Sequence, residues 1–133
     1  MYLEMGETDD YAHAGSYDFY VSTLHSQEAM IASLWNYIQS IPQYKDKTTL
    51  LIACDHGRGG DIKDQWTGHG PQIKDSKDIF ILAMGPDTPA FGEVKTDTQL
   101  YQGQIAATIA KFLGLNYTAA HPILPPVETM LHK

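Results

Sequence analysis

Three short clusters of this sequence combine carboxylates with histidines. Asp9 and His13 lie four residues apart, Asp55 and His56 are adjacent, and His69 has a glycine on either side. Residues four apart on a helix share a face, so Asp9 and His13 can bind one ion if their segment is helical. Glycines beside an imidazole let the backbone bring it close to a shared centre. Together these side chains provide the oxygen and nitrogen ligands that zinc and manganese accept.

Each cluster also has an ordinary structural explanation when it is taken alone. An Asp and a His four residues apart are common on helix surfaces, Asp55 can cap a turn, and His69 can be a plain loop residue. The metal-site hypothesis therefore depends on the combination of the three clusters. The remaining histidines lack such partners and are interpreted as surface or packing residues: His25, His121 and His132.

Alternating strands and helices are predicted to position these clusters. Short apolar segments predict three strands, the last two of them buried, over residues 2–5, 48–54 and 78–84. Apolar residues at steps of three and four predict two helices, over residues 17–41 and 98–113. Residues 55–73 are glycine-rich and polar, which is typical of a functional loop. The order of elements predicts an α/β fold with a partial, mostly parallel sheet of about 3–4 strands flanked by helices, a piece of a larger three-layer fold.

Composition and charge limit the classes of protein. The chain has 133 residues, of which 43% are hydrophobic and 19% charged, as expected for one globular domain. Its formal charge of −7 disfavours binding to nucleic acid. A single cysteine, Cys54, excludes an internal disulfide framework and a cysteine-rich zinc module. No apolar segment approaches the roughly 18 residues of a transmembrane helix, and no signal-peptide pattern is present at the N-terminus.

The combined motif resembles a known enzyme superfamily. An Asp-x-x-x-His pair, an Asp-His-Gly after an apolar strand and a glycine-flanked His further on are similar to the C-terminal metal-binding portion of the alkaline phosphatase superfamily. That superfamily includes phosphatases, cofactor-independent phosphoglycerate mutases, phosphopentomutases, phosphodiesterases and sulfatases. Residues 104–114 also resemble the helix that follows the last metal ligand in these enzymes. The resemblance extends from Asp9 to about Gly114.

The resemblance implies two divalent metal ions, zinc or manganese, in the whole enzyme. Asp9, His13 and His69 would bind one ion, and Asp55 and His56 would contribute to the second. The family completes the second site with an aspartate and a Ser or Thr nucleophile, both N-terminal to the region that this chain matches. No residue before Asp9 fits either role. We therefore expect a C-terminal fragment that lacks the nucleophile, is inactive alone and retains at most about one ion.

The activity that the resemblance implies is hydrolysis or transfer of a phosphoester. A Ser or Thr alkoxide from the N-terminal half of the same protein would attack the phosphorus of a small anionic substrate. Arg58 either contacts that substrate or is a solvated loop cation, and both interpretations remain open. Three other residues of the same loop are weaker candidates for shaping the substrate site: Lys63, Trp66 and Lys74.

Two other functions remain open. A sulfatase-like enzyme would hydrolyse a sulfoester, but typical sulfatases bind calcium and have Asp-Asn or Asp-Gln in place of Asp55-His56. Imidazole favours a softer ion than calcium, which argues against this alternative. The other alternative is a non-catalytic α/β domain that binds a metal or a partner protein. The sequence leaves the cellular compartment open.

Overall fold

The structure, a computed structural model, describes residues 1–60 and 65–132. It contains three α-helices, which are α1 (Glu7–His13), α2 (Tyr17–Ser40) and α3 (Ile105–Phe112). Two strands, β1 (Leu50–Ala53) and β2 (Ile81–Met84), form a sheet. Short 3₁₀ turns occur at Gln65–Thr67, Gln102–Gln104 and Glu128–Met130. Among the described residues, no helix has both the length and the apolar character needed to cross a membrane.

The prediction of a mostly parallel, multi-stranded sheet is wrong. The structure is 38% helical, and its sheet is an antiparallel pair of β1 and β2. A parallel pair needs a crossover connection of about a dozen residues or more, usually with a helix. The described residues between β1 and β2 contain a single 3₁₀ turn instead. Residues 2–5, which were expected to form a strand, have no regular secondary structure.

Neither strand is buried as the apolar sequence predicts. Side chains along β1 are half-buried with an exposed final residue, and those along β2 alternate between half-buried and exposed. Leu82 and Met84 of β2 are both among the exposed large apolar residues. A strand becomes fully buried when neighbouring strands and helices cover both faces, and a two-stranded sheet has no central strand. The apolar runs at 48–54 and 78–84 thus locate the two strands, but they do not predict the surroundings of these strands.

The two long helices follow the predicted periodicity to different degrees. Helix α2 confirms the helix predicted over 17–41 and ends before Pro42, which cannot donate a backbone hydrogen bond. Helix α3 is shorter than its prediction and begins after a 3₁₀ turn. Gly114 terminates it with a φ of 66°, the left-handed conformation that glycine adopts without a steric penalty.

The residues group into two compact units. The first unit comprises Met1–Lys45 with Ala53–Phe80 and contains α1 and α2. The second comprises Asp46–Ile52 with Ile81–Lys133 and contains β2, α3 and all of β1 except its last residue. All the predicted metal ligands belong to the first unit.

Candidate metal centre

One carboxylate oxygen, Oδ1 of Asp9, is the meeting point of three histidines. His13 lies one turn further along α1, and its Nε2 is 3.3 Å from this oxygen. His56 and His69 follow β1, and their Nε2 atoms are 3.6 and 3.7 Å from the same oxygen. Ligand atoms of Asp9, His56 and His69 all lie within 4.8 Å of one another. The structure therefore brings side chains from all three sequence clusters together.

The orientation of His56 leaves a nitrogen lone pair directed at this cluster. Its Nδ1 is 3.1 Å from the backbone carbonyl oxygen of Gly57. Because a carbonyl oxygen can only accept, the neutral ring carries its proton on Nδ1 and has the lone pair on Nε2. That nitrogen and Oδ1 of Asp9 are then two acceptors that face each other. A cation between them satisfies both, and metal-binding histidines usually donate their other N–H in this way.

The rings of the three histidines form a continuous group. His56 and His69 stack with their centroids 3.6 Å apart and their planes 10° from parallel. The His13 ring lies 5.1 Å from that of His69. The side chains of these residues are partly accessible, with His13 the most exposed at 48% and His56 the least at 22%. An ion can therefore reach the cluster from solvent.

Asp55 lies at the edge of the cluster. Its side chain is 81% exposed, and its Oδ2 is 3.8 Å from Nε2 of His56. Its Oδ1 accepts a hydrogen bond from the backbone N–H of His56 at 3.0 Å, as in the capped turn that the sequence also allows. His56 thus lies close to ligands assigned to both predicted ions. The division of the ligands between two ions stays a prediction.

A buried serine connects the two histidine-bearing segments. Ser76 is 7% exposed, and its carbonyl oxygen accepts the N–H of Gly57 at 2.8 Å. Its Oγ accepts the N–H of Gly70, next to His69, at 2.6 Å. At Gly57 a Cβ atom would lie 2.4 Å from the carbonyl oxygen of Asp75 and 2.5 Å from that of Asp78, so only glycine fits there. No sequence pattern had indicated Ser76, because its role depends on tertiary contacts.

Arg58 is positioned beside Asp9 by aromatic residues. Its side chain is 12% exposed, and its NH2 group contacts Oδ1 of Asp9. NH1 donates to the carbonyl oxygen of Trp66 at 3.5 Å, and the guanidinium carbon lies 6.0 Å from the centre of the Tyr20 ring. Trp66 in turn packs against Tyr17 and Tyr20. Arg58 is therefore not a solvated loop cation. Tyr17 and Tyr20, which lie in the segment predicted as the helix 17–41, help to hold it.

A pocket with a volume of about 420 Å³ adjoins His56 and His69. Residues 70–77 form the rest of its lining, and Lys74 and Lys77 are among them. The ammonium of Lys77 is 2.9 Å from a carboxylate oxygen of Asp78, and this hydrogen bond raises the pKa of Lys77. Lys77 therefore stays cationic at neutral pH. Lys63, another candidate from the sequence, lies outside the described residues.

The side chains that converge on Asp9 fit a borderline divalent ion. One carboxylate oxygen and several imidazole nitrogens form a set that zinc and manganese accept and that calcium does not favour. No protein-family profile, curated protein or solved structure gives a significant match to this chain. The resemblance to the alkaline phosphatase superfamily therefore depends on the motif residues themselves.

Proposed function

We propose that this chain is the metal-binding part of a divalent-metal-dependent phosphoester hydrolase or phosphomutase. The observation that carries the proposal is the pair of facing acceptors, Nε2 of His56 and Oδ1 of Asp9, with the imidazole of His69 beside them. Such an arrangement is stable when a cation lies among the ligands. A Ser or Thr outside these residues supplies the nucleophile in this proposal.

Asp9, His56 and His69 are the residues proposed to hold one zinc or manganese ion, with His13 beside them as a further ligand. A divalent ion in such a site lowers the pKa of a bound hydroxyl group or water and stabilises negative charge on phosphoryl oxygens. The Nδ1–H of His56, held by the Gly57 carbonyl, fixes the ring so that Nε2 faces the ion. In this proposal the ligand residues bind and position the ion, while the reacting hydroxyl comes from elsewhere in the enzyme.

A second ion, with Asp55 among its ligands, belongs to the proposal for the whole enzyme; His56 could bind it only in place of the first ion, because Nε2 offers one lone pair. The exposure of Asp55 supports this assignment, because an ion that other segments help to hold can reach its carboxylate from solvent. These two residues are too few for a stable site, since even open catalytic zinc sites use three protein ligands. One retained ion is therefore expected in this chain.

The substrate proposed is a small anionic phosphoester. The pocket beside His56 and His69 supports this, because its lining includes two lysines against one carboxylate, that of Asp75. Lys77 remains protonated, although its ion pair with Asp78 offsets part of its positive charge. The imidazole content of the cluster favours this reading over a calcium-dependent sulfatase.

Metal retention tests the proposed centre directly. After saturation with zinc and extensive dialysis, the protein is expected to retain about one ion by elemental analysis, because three ligands suffice. His56→Ala and His69→Ala are expected to lose it. His25→Ala is the matched control, because His25 is 77% exposed on α2 and contacts Glu28, remote in sequence from the ligands. Retention unchanged in both ligand variants would contradict the proposed centre.

Turnover tests the substrate class. The intact enzyme, with its nucleophile, is expected to hydrolyse 4-nitrophenyl phosphate in preference to 4-nitrophenyl sulfate, and a chelator is expected to abolish the activity. Preference for the sulfate ester would favour the sulfatase-like alternative. Metal retention without turnover of either ester would favour the non-catalytic alternative.

A further inference from the structure

The guanidinium of Arg58 lies where a metal ion and Asp9 would meet. Its NH2 group contacts Oδ1 of Asp9, the same oxygen that the histidines approach. The Arg58 side chain is 12% exposed and that of Asp9 is 37% exposed, so the guanidinium is more shielded from solvent than the carboxylate. The Trp66 carbonyl and the Tyr20 ring hold the other side of the guanidinium. This arrangement keeps a fixed positive charge on the carboxylate proposed to bind the ion.

A divalent ion and Arg58 cannot share that oxygen without strong repulsion. Guanidinium is protonated at all physiological pH values, so it cannot relieve the repulsion by losing a proton. Like charges at contact distance repel most strongly where water is largely excluded. An ion that binds Oδ1 of Asp9, the oxygen that the histidines approach, therefore displaces the guanidinium from it.

When the guanidinium of Arg58 is displaced from Asp9, it loses the carboxylate that balances its charge. In the described residues, Asp9 is the carboxylate that forms an ion pair with Arg58. A shielded guanidinium without a counter-charge is costly, and its planar set of N–H donors matches the oxygens of a phosphate group. Its aromatic neighbours keep it close to the ligand cluster.

We propose that Arg58 is an internal counter-cation that competes with the divalent ion for Asp9 and, once displaced, binds the phosphate group of the substrate. The proposal rests on the proposed metal centre. It makes metal and phosphate binding cooperative. Zinc on Asp9 frees the guanidinium of Arg58 for phosphate, and phosphate on Arg58 keeps the guanidinium away from Asp9, where zinc binds. Thermodynamic linkage makes the coupling reciprocal: zinc raises the affinity for phosphate and phosphate raises the affinity for zinc, both by the same factor.

The test measures zinc affinity by competition with a chromogenic chelator. Arg58→Gln removes the competing charge, so zinc is expected to bind about tenfold more tightly, within the usual range of coupling between sites. Arg58→Lys keeps a positive charge without the planar donor set, and its zinc affinity is expected between those of the wild type and Arg58→Gln. Lys95→Gln is the matched control, because it removes a cation from an exposed ion pair with Glu93. Its zinc affinity is expected to equal that of the wild type.

Calorimetry with orthophosphate tests the second half of the proposal. Zinc is expected to raise phosphate affinity about tenfold in the wild type and less in Arg58→Gln. If both Arg58 variants bind zinc no more tightly than the wild type, the competition is refuted and the metal centre stands. If zinc-dependent phosphate binding is equal in the wild type and Arg58→Gln, the anion role is refuted. If neither wild type nor variants bind zinc, the proposed function fails as well.

Discussion

The two units of this protein satisfy their polar groups in different ways. In the second unit, the buried hydroxyl of Thr108 donates to the Gln104 carbonyl at 2.8 Å and accepts the N–H of Val127 at 2.9 Å. The Gln104 amide donates to the Pro125 carbonyl at 3.0 Å and its oxygen accepts the N–H of Tyr101 at 2.9 Å. These residues form a closed set of hydrogen bonds that requires no ligand.

The first unit pairs its central carboxylate, that of Asp9, with a charged side chain instead. Nε2 of His56 faces a carboxylate oxygen, and the contact that neutralises this carboxylate is a guanidinium. Buried polar groups are normally paired, and among the described residues every buried side-chain nitrogen and oxygen has a hydrogen-bond partner. The hydrogen bonds of the second unit are internal, whereas under the proposed function the first unit would exchange the guanidinium on Asp9 for an ion. Substitutions in the two units should therefore respond differently to zinc.

The largest effect is expected from Gly57→Ala in the first unit. The new Cβ atom would overlap the carbonyl oxygens of Asp75 and Asp78, so the turn that carries His56 and Arg58 must move. We expect a loss of about 2–3 kcal/mol in the free energy of unfolding, as for overpacked cores, together with weaker zinc binding. Urea denaturation with and without zinc measures both effects.

Gly60→Ala is the matched control for that substitution. Among the described residues, the nearest atom to a Cβ there is a carboxylate oxygen of Asp75 at 4.0 Å, which is an ordinary contact distance. Stability and zinc affinity are expected to remain close to those of the wild type. Equal effects of the two substitutions would show that the turn at Gly57 does not set the geometry of the cluster.

A smaller effect, independent of zinc, is expected from Thr108→Val in the second unit. Thr108 is fully buried, and valine keeps its shape but leaves the N–H of Val127 without its acceptor. The free energy of unfolding should fall by about 1–2 kcal/mol, the usual cost of a buried unsatisfied group. Zinc affinity, measured by chelator competition, should not change.

Thr108→Ser separates the hydroxyl from the methyl group. Serine retains the hydroxyl and removes one methyl group, so the loss should be about 0.8 kcal/mol. If either Thr108 variant changed the zinc affinity, zinc binding in the first unit would depend on the hydrogen bonds of the second unit. That result would contradict the proposed difference between the two units.

Local patterns in the sequence predicted α2, α3 and the pairing of Asp9 with His13, but not that α1 is a helix. Helix α2 was predictable because a periodicity of three to four residues persists up to Pro42. The pairing of Asp9 with His13 follows from their spacing of one helical turn. Both depend on residues close together in the chain, where backbone geometry determines the contact.

Local sequence patterns did not predict how the strands pair or which residues surround Arg58. Apolar runs locate β1 and β2, and residues 55–73 between them were predicted as a loop, but the direction in which the strands pair depends on tertiary contacts that the runs do not show. Arg58 and Asp9 are 49 residues apart in sequence, and Tyr20 looks like any apolar position of an amphipathic helix. Only the folded chain reveals that these residues meet.

X-ray absorption at the zinc edge tests the central claim most directly. The zinc-loaded protein is expected to give a spectrum of nitrogen and oxygen ligands with outer-shell scattering from at least two imidazoles, which are those of His56 and His69. Asp9→Asn is expected to remove most of the bound zinc, since even substitutions beyond the ligands cost about 10–100-fold in affinity. A spectrum of hydrated zinc without imidazole scattering, or with sulfur from Cys54, would contradict the proposed centre.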